Sequence, residues 1–298
     1  MLQLVLADPH LTTMHKPLPV LLLCCSLLVA CGDAGTQGGT AAQAPSVQRP
    51  AVAKSRNAQS QELERIVEEY YDRHLELNPL QATAEGDHRY EDRLGDYLSE
   101  KWLADSLWYE QEALERLGRV NAEELDDEDL VTYEAFRYGR RIAIEGFRYP
   151  GELLPVHQFS SLPVTFAMLG SGEGIHPFHS VQDYDNFLSR MDDFVAWVDQ
   201  AIANMREGIE KGIVQPRVLI ERTLPQLTAP LTEDPKQSLF WRPILSFPAS
   251  LGVSDRKRLT LAFEQKLREE VFPAYRRLHE FLQDEYLPQA RDSVGLSE

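Results

Sequence analysis

The sequence predicts an all-α fold, an irregular bundle of long helices interrupted by two long loops. Beyond Ser60 the apolar residues recur at three-four spacing almost everywhere, and the two-residue alternation of half-buried strands is nearly absent. Capping residues, glycines and prolines also stand where such periodic runs should begin and end.

The first helix carries Leu63, Ile66, Val67, Tyr70 and Leu77 on one face and stops before Asn78-Pro79, because proline suits the first turn of a new helix. Ser99 is placed to cap a helix bearing Trp102, Leu103, Leu107, Ala113, Leu114 and Leu117, with Gly118 to end it. A third runs from about Asp126 through Leu130, Tyr133, Phe136, Ile142 and Ile144 to Gly146. The longest stripe is Tyr184, Phe187, Leu188, Met191, Phe194, Val195, Val198, Ile202, Met205 and Ile209. Ser180 with Asp183 forms a capping box in front of it, and Gly212 terminates it. Pro216 then opens a shorter helix through Val218, Leu219 and Leu224. From Ser254 a last element carries Leu259, Phe263, Leu267, Val271, Tyr275, Leu278, Leu282 and Tyr286, and Pro273 should bend it. Between these runs lie two punctuated connections, Phe147 to about Ser180 and Leu227 to Gly252; connections of that length without structure of their own are often functional.

The N-terminus is a separate object. Lys16 precedes an apolar run from Pro17 to Ala30, too short for a spanning helix and suited to a signal core. Leu28-Val29-Ala30-Cys31 resembles the bacterial lipobox, which implies cleavage before Cys31 and lipid attachment to it. Residues 1–13 add nothing a signal needs, so Met14 is an alternative start. The segmentation that follows is a lipoprotein signal at 1–30, a flexible tether at 31–58 rich in Gly, Ala, Thr, Gln, Ser and Pro, and a helical domain at 59–298. The expected location is the bacterial cell envelope, anchored by lipid and facing the periplasm.

All three cysteines, Cys24, Cys25 and Cys31, fall in the signal region, so the mature body can form no disulfide, cysteine zinc site or thiol nucleophile. Removing residues 1–30 takes away Lys16 and Asp8 and leaves the net charge at −17. A body that acidic is a poor ligand for nucleic acid, whose backbone is bound by neutralising it.

The search for chemistry is mostly negative. No histidine pair has the i, i+4 spacing of a zinc helix; His279-Glu280 starts such a motif, but Gln283 stands where the second histidine belongs. His176-Pro177-Phe178-His179 follows Gly170, Gly172 and Gly174 in a loop that can approach a ligand. Phosphate-cradling, dinucleotide and serine-hydrolase signatures are missing. The run Glu123 to Asp129 reads as the solvated start of a helix rather than a glycosidase pair, and the four tryptophans as core and interface residues.

Several stretches taken in order resemble the N-terminal half of the bacterial family known as domain of unknown function 885. They are Asn78-Pro79-Leu80-Gln81-Ala82-Thr83 with Gly86, Leu153-Leu154-Pro155, Met205 to Gly212, and Asp292-Ser293-Val294-Gly295-Leu296. The resemblance implies a larger helical, zincin-like metallopeptidase fold whose zinc motif lies in a second half, so that zinc is expected only with that missing half. No catalytic or metal-binding residue is carried over onto this chain. The loop with His157, Gln158, His176 and His179 is the candidate for a substrate-channel wall, and the substrate implied is a peptide. The chain alone is expected to be inactive. The alternative is a non-catalytic envelope lipoprotein that binds a peptide or protein partner through its helical surface.

Overall fold

The computed structural model describes residues 57–295. The signal-like stretch, Cys31, the tether up to residue 56 and the closing Leu296 lie outside the described residues. No strand occurs among the described residues, whose one β-type pairing is an isolated bridge between Pro216 and Arg291. None of their helices is long and apolar enough to cross a membrane.

The helices follow the local signals closely. α1 (Ala58–Leu77) starts at Asn57, whose side chain accepts the Ser60 amide, and α2 (Pro79–Ala84) begins on the expected proline. α3 (Glu100–Leu117) is capped by Ser99 and α4 (Asp127–Gly146) by Asp126, whose carboxylate takes the Glu128 and Asp129 amides. That cap explains the acidic run, since anionic side chains stabilise a helix N-terminus. α6 (Val181–Lys211) has the full Ser180–Asp183 capping box, and Gly212 ends it in the left-handed conformation at φ +73° that favours glycine.

The long connections are not bare loops. The first holds α5 (Leu162–Gly170) and the second two 3₁₀ turns and α8 (Arg242–Leu245). Phe166, Leu169, Phe240, Trp241 and Ile244 from these segments are buried, so their apolar residues complete the core instead of framing a flexible opening. Periodicity placed them in loops because each helical piece is too short to show a repeat.

Two other expectations are corrected. α7 (Arg217–Thr228) buries Ile220, Thr223 and Leu227; of the residues that marked it, Leu224 packs partly buried against the core and Val218 is exposed. On α4 only Tyr133 of the predicted stripe is buried; Leu130 and Ile142 are exposed. The C-terminal element runs as α9 (Val253–Lys266), a π-helical stretch Leu267–Val271, α10 (Phe272–Glu280) and a second π stretch Phe281–Tyr286. Each π stretch lies just before a proline, Pro273 or Pro288. A proline offers no amide to the carbonyl four residues back, and the ladder shifts by one, with Phe272 N–H donating to Leu267 O and Leu287 N–H to Leu282 O.

Two apolar clusters result. A small one joins α1, α3 and α4 through Leu63, Ile66, Leu117, Val120 and Tyr133. The larger one surrounds α6 with α5, α7, α9 and α10. At its centre Phe166 stacks on Phe194 at 4.2 Å and on Phe187 at 5.4 Å between centroids. Gly208 lets the chain close on itself, for a Cβ there would stand 2.7 Å from Ile213 O and 3.2 Å from Leu153 O. This contrast predicts opposite signs for two helix substitutions measured by urea unfolding. Gly139→Ala on α4, where a Cβ meets nothing within 4 Å, should gain about 0.5–1 kcal/mol from helix propensity. Gly208→Ala should lose about 1–3 kcal/mol through overpacking.

Candidate functional site

The histidine loop precedes α6 and is fastened to it. The Asp183 carboxylate accepts the His179 and Ser180 amides at 2.7 and 2.9 Å, and the Asp183 carbonyl accepts a hydrogen bond from His176 Nε2 at 2.9 Å. The other nitrogen of His176, Nδ1, lies 2.7 Å from Arg190 Nη1. A guanidinium can only donate, which fixes His176 as the neutral tautomer with its proton on Nε2. Burial and the Arg190 charge push its pKa down to about 4.

Arg190 is fully buried. Besides His176 it donates from Nε to Arg93 O at 2.9 Å, and from Nη2 to Thr83 Oγ1 at 2.6 Å and to Tyr90 O at 3.4 Å. Thr83 in turn donates to Pro79 O at 3.1 Å. Burial lowers the Arg190 pKa to about 10, opposed by the carboxylates of Glu91, Asp92 and Asp193, and the group stays charged at neutral pH. One side chain of α6 thus grips α2, the segment Tyr90–Arg93 and the histidine loop.

The same loop forms one wall of a groove of about 560 Å³, lined by Ser171–His179, Tyr184, Arg242, Pro243, Ser246 and Pro248. Its lining mixes three prolines and the rings of Phe178 and Tyr184 with polar and charged side chains, and an ion pair between Arg242 and Glu173 at 2.9 Å bridges the loop to α8. His176 and His179 are brought together here; His157 and Gln158 are not among the lining residues. The His157 Nδ1 accepts the Phe159 and Ser160 amides and burial lowers its pKa, while the Gln158 carbonyl accepts from Gln226. The four-residue set expected to line one channel wall is therefore split between a groove and a turn. His157 serves its own turn, whereas His176 is spent on a tertiary contact with Arg190 and Asp183.

A second groove, of about 520 Å³, lies between α6 and the end of the C-terminal element. Its arginines are committed to ion pairs, Arg206 with Glu285 at 2.7 Å and Arg277 with Asp199 at 2.8 Å. Among the described residues no group of three or more His, Cys, Asp or Glu side chains is placed to hold a metal ion. His176 has both ring nitrogens engaged and Gln283 stands four residues after His279, so these donor sets do not fit a zinc centre.

Sequence reasoning missed the two buried polar centres. Arg190 sits at the edge of the α6 stripe, where periodicity reads as a solvent-facing position. Glu110 on α3 likewise hides between Tyr109 and Ala113. Its carboxyl accepts from the Tyr70 hydroxyl at 2.9 Å and faces Arg140 Nε at 3.1 Å, while the Arg140 guanidinium lies 3.9 Å from the Tyr70 ring centroid. Burial pushes Glu110 up to about 7 and Arg140 down to about 10.

The segments that carried the family resemblance converge around α6. Thr83 meets Arg190; Leu153 packs on Gly208; Gln215 Nε2 reaches Leu154 O and Val156 O at 3.5 Å; and Arg217 pairs with Asp292 at 3.1 Å. They are seams of the scaffold rather than a reactive centre.

Comparison with known proteins agrees with this architecture. A family model described as "Bacterial protein of unknown function (DUF885)" matches residues 79–297. Among solved structures, the fold is similar to that of "the putative lipoprotein from Colwellia psychrerythraea", with a TM-score of 0.64 and 14% identity. The match covers 80% of this chain and 43% of that one, so the chain spans less than half the length of its structural relative. Comparison with curated proteins gives no match.

Two stability measurements test the buried network. Arg190→Met should cost about 3–5 kcal/mol in urea unfolding, because it leaves Thr83, His176 and two carbonyls without their donor. The His176 pKa of about 4 lies below the ordinary 6.5, so between these values the unfolded chain binds more protons. Its contribution is therefore complete above about pH 6.5 and is lost as pH falls, by up to about 1.4 kcal/mol per pH unit. In His176→Asn that part of the slope should vanish, Oδ1 accepting from Arg190 without titrating.

Proposed function

Because the chain belongs to the bacterial DUF885 family, we propose that it is the N-terminal portion of a lipid-anchored, envelope-located protein of zinc-peptidase type. In this reading the portion supplies scaffold and one wall of a substrate channel, and the residues that bind zinc and activate water belong to the remainder of a longer protein. The supporting observation is the unequal coverage, most of this chain aligning with less than half of the Colwellia structure. The lipobox-like Leu28-Val29-Ala30-Cys31 supports anchoring, with Cys31 as the modified residue and residues 32–56 as a tether that lets the domain stand off the membrane.

Peptide is the substrate class most consistent with the resemblance. The groove beside His176 and His179 suits such a role, being lined by Pro177, Phe178, Pro243 and Pro248 with one charged pair at its edge. The same groove supports a second reading, a non-catalytic envelope lipoprotein that holds a peptide or protein partner. The two readings separate on whether activity appears when the remainder of a family member is supplied.

The highly purified chain should show no peptide hydrolysis with or without added zinc, and zinc-dependent turnover by it would overturn the proposal. Co-expression with the C-terminal portion of a longer family member should restore cleavage if the peptidase reading holds, whereas binding without cleavage favours the second. Cys31→Ser should move the protein from the membrane to the soluble fraction; unchanged retention would refute lipid attachment at that residue.

A further inference from the structure

The groove wall Ser171–His179 is held in an unusual way. At its start Ser171 donates from N and Oγ to Met168 O, and at its end the Asp183 carboxylate caps the His179 and Ser180 amides. Between these ends three side-chain ties bind it to the rest of the fold. One is the exposed ion pair Glu173–Arg242, a second is the Phe178 ring against Tyr184 and Phe187 of α6, and the third is His176, 2% exposed and packed against the rings of Phe178 and Phe187. The interior tie depends on a single acceptor lone pair, because His176 Nδ1 receives Arg190 Nη1 at 2.7 Å.

We propose that this wall is an acid-released latch: a proton on His176 Nδ1 turns the Arg190 contact from donor–acceptor into donor–donor, and the Ser171–His179 segment leaves the groove. The inference does not depend on the peptidase reading. Two cationic groups in van der Waals contact inside a core cannot both be kept, and Arg190 is the more strongly fixed of the two. It has three further hydrogen-bond partners on other elements, whereas His176 has only the Asp183 carbonyl besides. The loop side therefore yields.

The carboxylate that favours a protonated His176 is Asp183, and burial and the Arg190 charge outweigh it. On α6 the Asp183 carboxylate is engaged by the His179 and Ser180 amides and the Ser180 hydroxyl, and the Asp193 carboxylate accepts the Leu94 amide. Glu91 is paired with His88, while Asp92, Glu91 and the Tyr97 hydroxyl influence Arg190 rather than the ring of His176. Thr83 contributes only a hydroxyl, already spent between Arg190 and Pro79. On the loop itself His179 is exposed. The depressed basicity of His176 agrees with this geometry and sets the acid range in which release occurs.

The test is hydrogen–deuterium exchange of the full chain from pH 7 to pH 4, divided by the intrinsic exchange rate, with far-UV circular dichroism recorded in parallel. In the wild type, peptides within Ser171–His179 should lose protection by up to tenfold per pH unit as pH falls below about 6.5, while Tyr184–Met205 of α6 stays protected. His176→Asn should abolish the acid-dependent loss. Glu173→Gln removes the carboxylate of the outer ion pair and should leave the loss in place. The proposal is overturned if the loop opens only together with α6, if His176→Asn opens with the same pH dependence, or if Glu173→Gln alone abolishes the response.

Discussion

Arg190 brings a full positive charge into the interior with no carboxylate hydrogen-bonded to it, a placement that costs several kcal/mol unless dipoles replace the lost water. The compensation is assembled from four places in the chain: the Arg93 and Tyr90 carbonyls, the Thr83 hydroxyl and the His176 ring. Each partner lies 14 to 107 residues away in sequence. The charge can be buried only if α2, the Tyr90–Arg93 segment and the histidine loop all arrive together, so this one requirement dictates how the first part of the domain docks on α6. An apolar residue in the same place would fill the space without specifying which segments must surround it, and in that sense the buried polar group contributes uniqueness as well as contact.

The small cluster of α1, α3 and α4 follows a similar logic around Glu110. Tyr70 is the hub, with its ring stacked on Tyr109 at 4.5 Å, its edge against Phe136, and the Arg140 guanidinium over its face. The Tyr109 hydroxyl donates to the Tyr70 carbonyl and locks the pair to the backbone of α1. Both centres join elements distant in sequence through buried ionisable side chains, Arg190 alone in one and Glu110 with Arg140 in the other. Both leave the apolar clusters on either side to supply most of the burial, since dispersion and water exclusion scale with area and are indifferent to identity.

The groove beside the histidine loop is a by-product of that docking. Its wall is fixed by the same Arg190 that orders α2, so its shape is coupled to the packing of the domain and not set by local loop preferences alone. The family-like segments meet along α6 for the same reason. Gly208 admits Leu153, Thr83 satisfies Arg190, and Arg217 closes on Asp292, which are contacts that hold a scaffold in shape for whatever chemistry is attached to it.

Most helix limits were legible because the signals are local. The Ser180–Asp183 box, the Asn57, Ser99 and Asp126 caps, Pro79 and Gly212 act through hydrogen bonds and dihedral limits within one turn. The ten-residue stripe of α6 was equally plain, as periodicity over thirty residues averages out exceptions. Legibility failed where a helix is too short to show a period, as in α5 and α8, or where proline alters the ladder, as at Pro273. It failed more completely for the candidate site. That Arg190 points inward, that His176 is its acceptor, and that His157 is elsewhere depend on segments meeting across a hundred residues. The chain by itself determined where helices start, stop and turn an apolar face inward. Only the tertiary structure decided which polar residues those faces would enclose, because burying a charge depends on partners that no local pattern encodes.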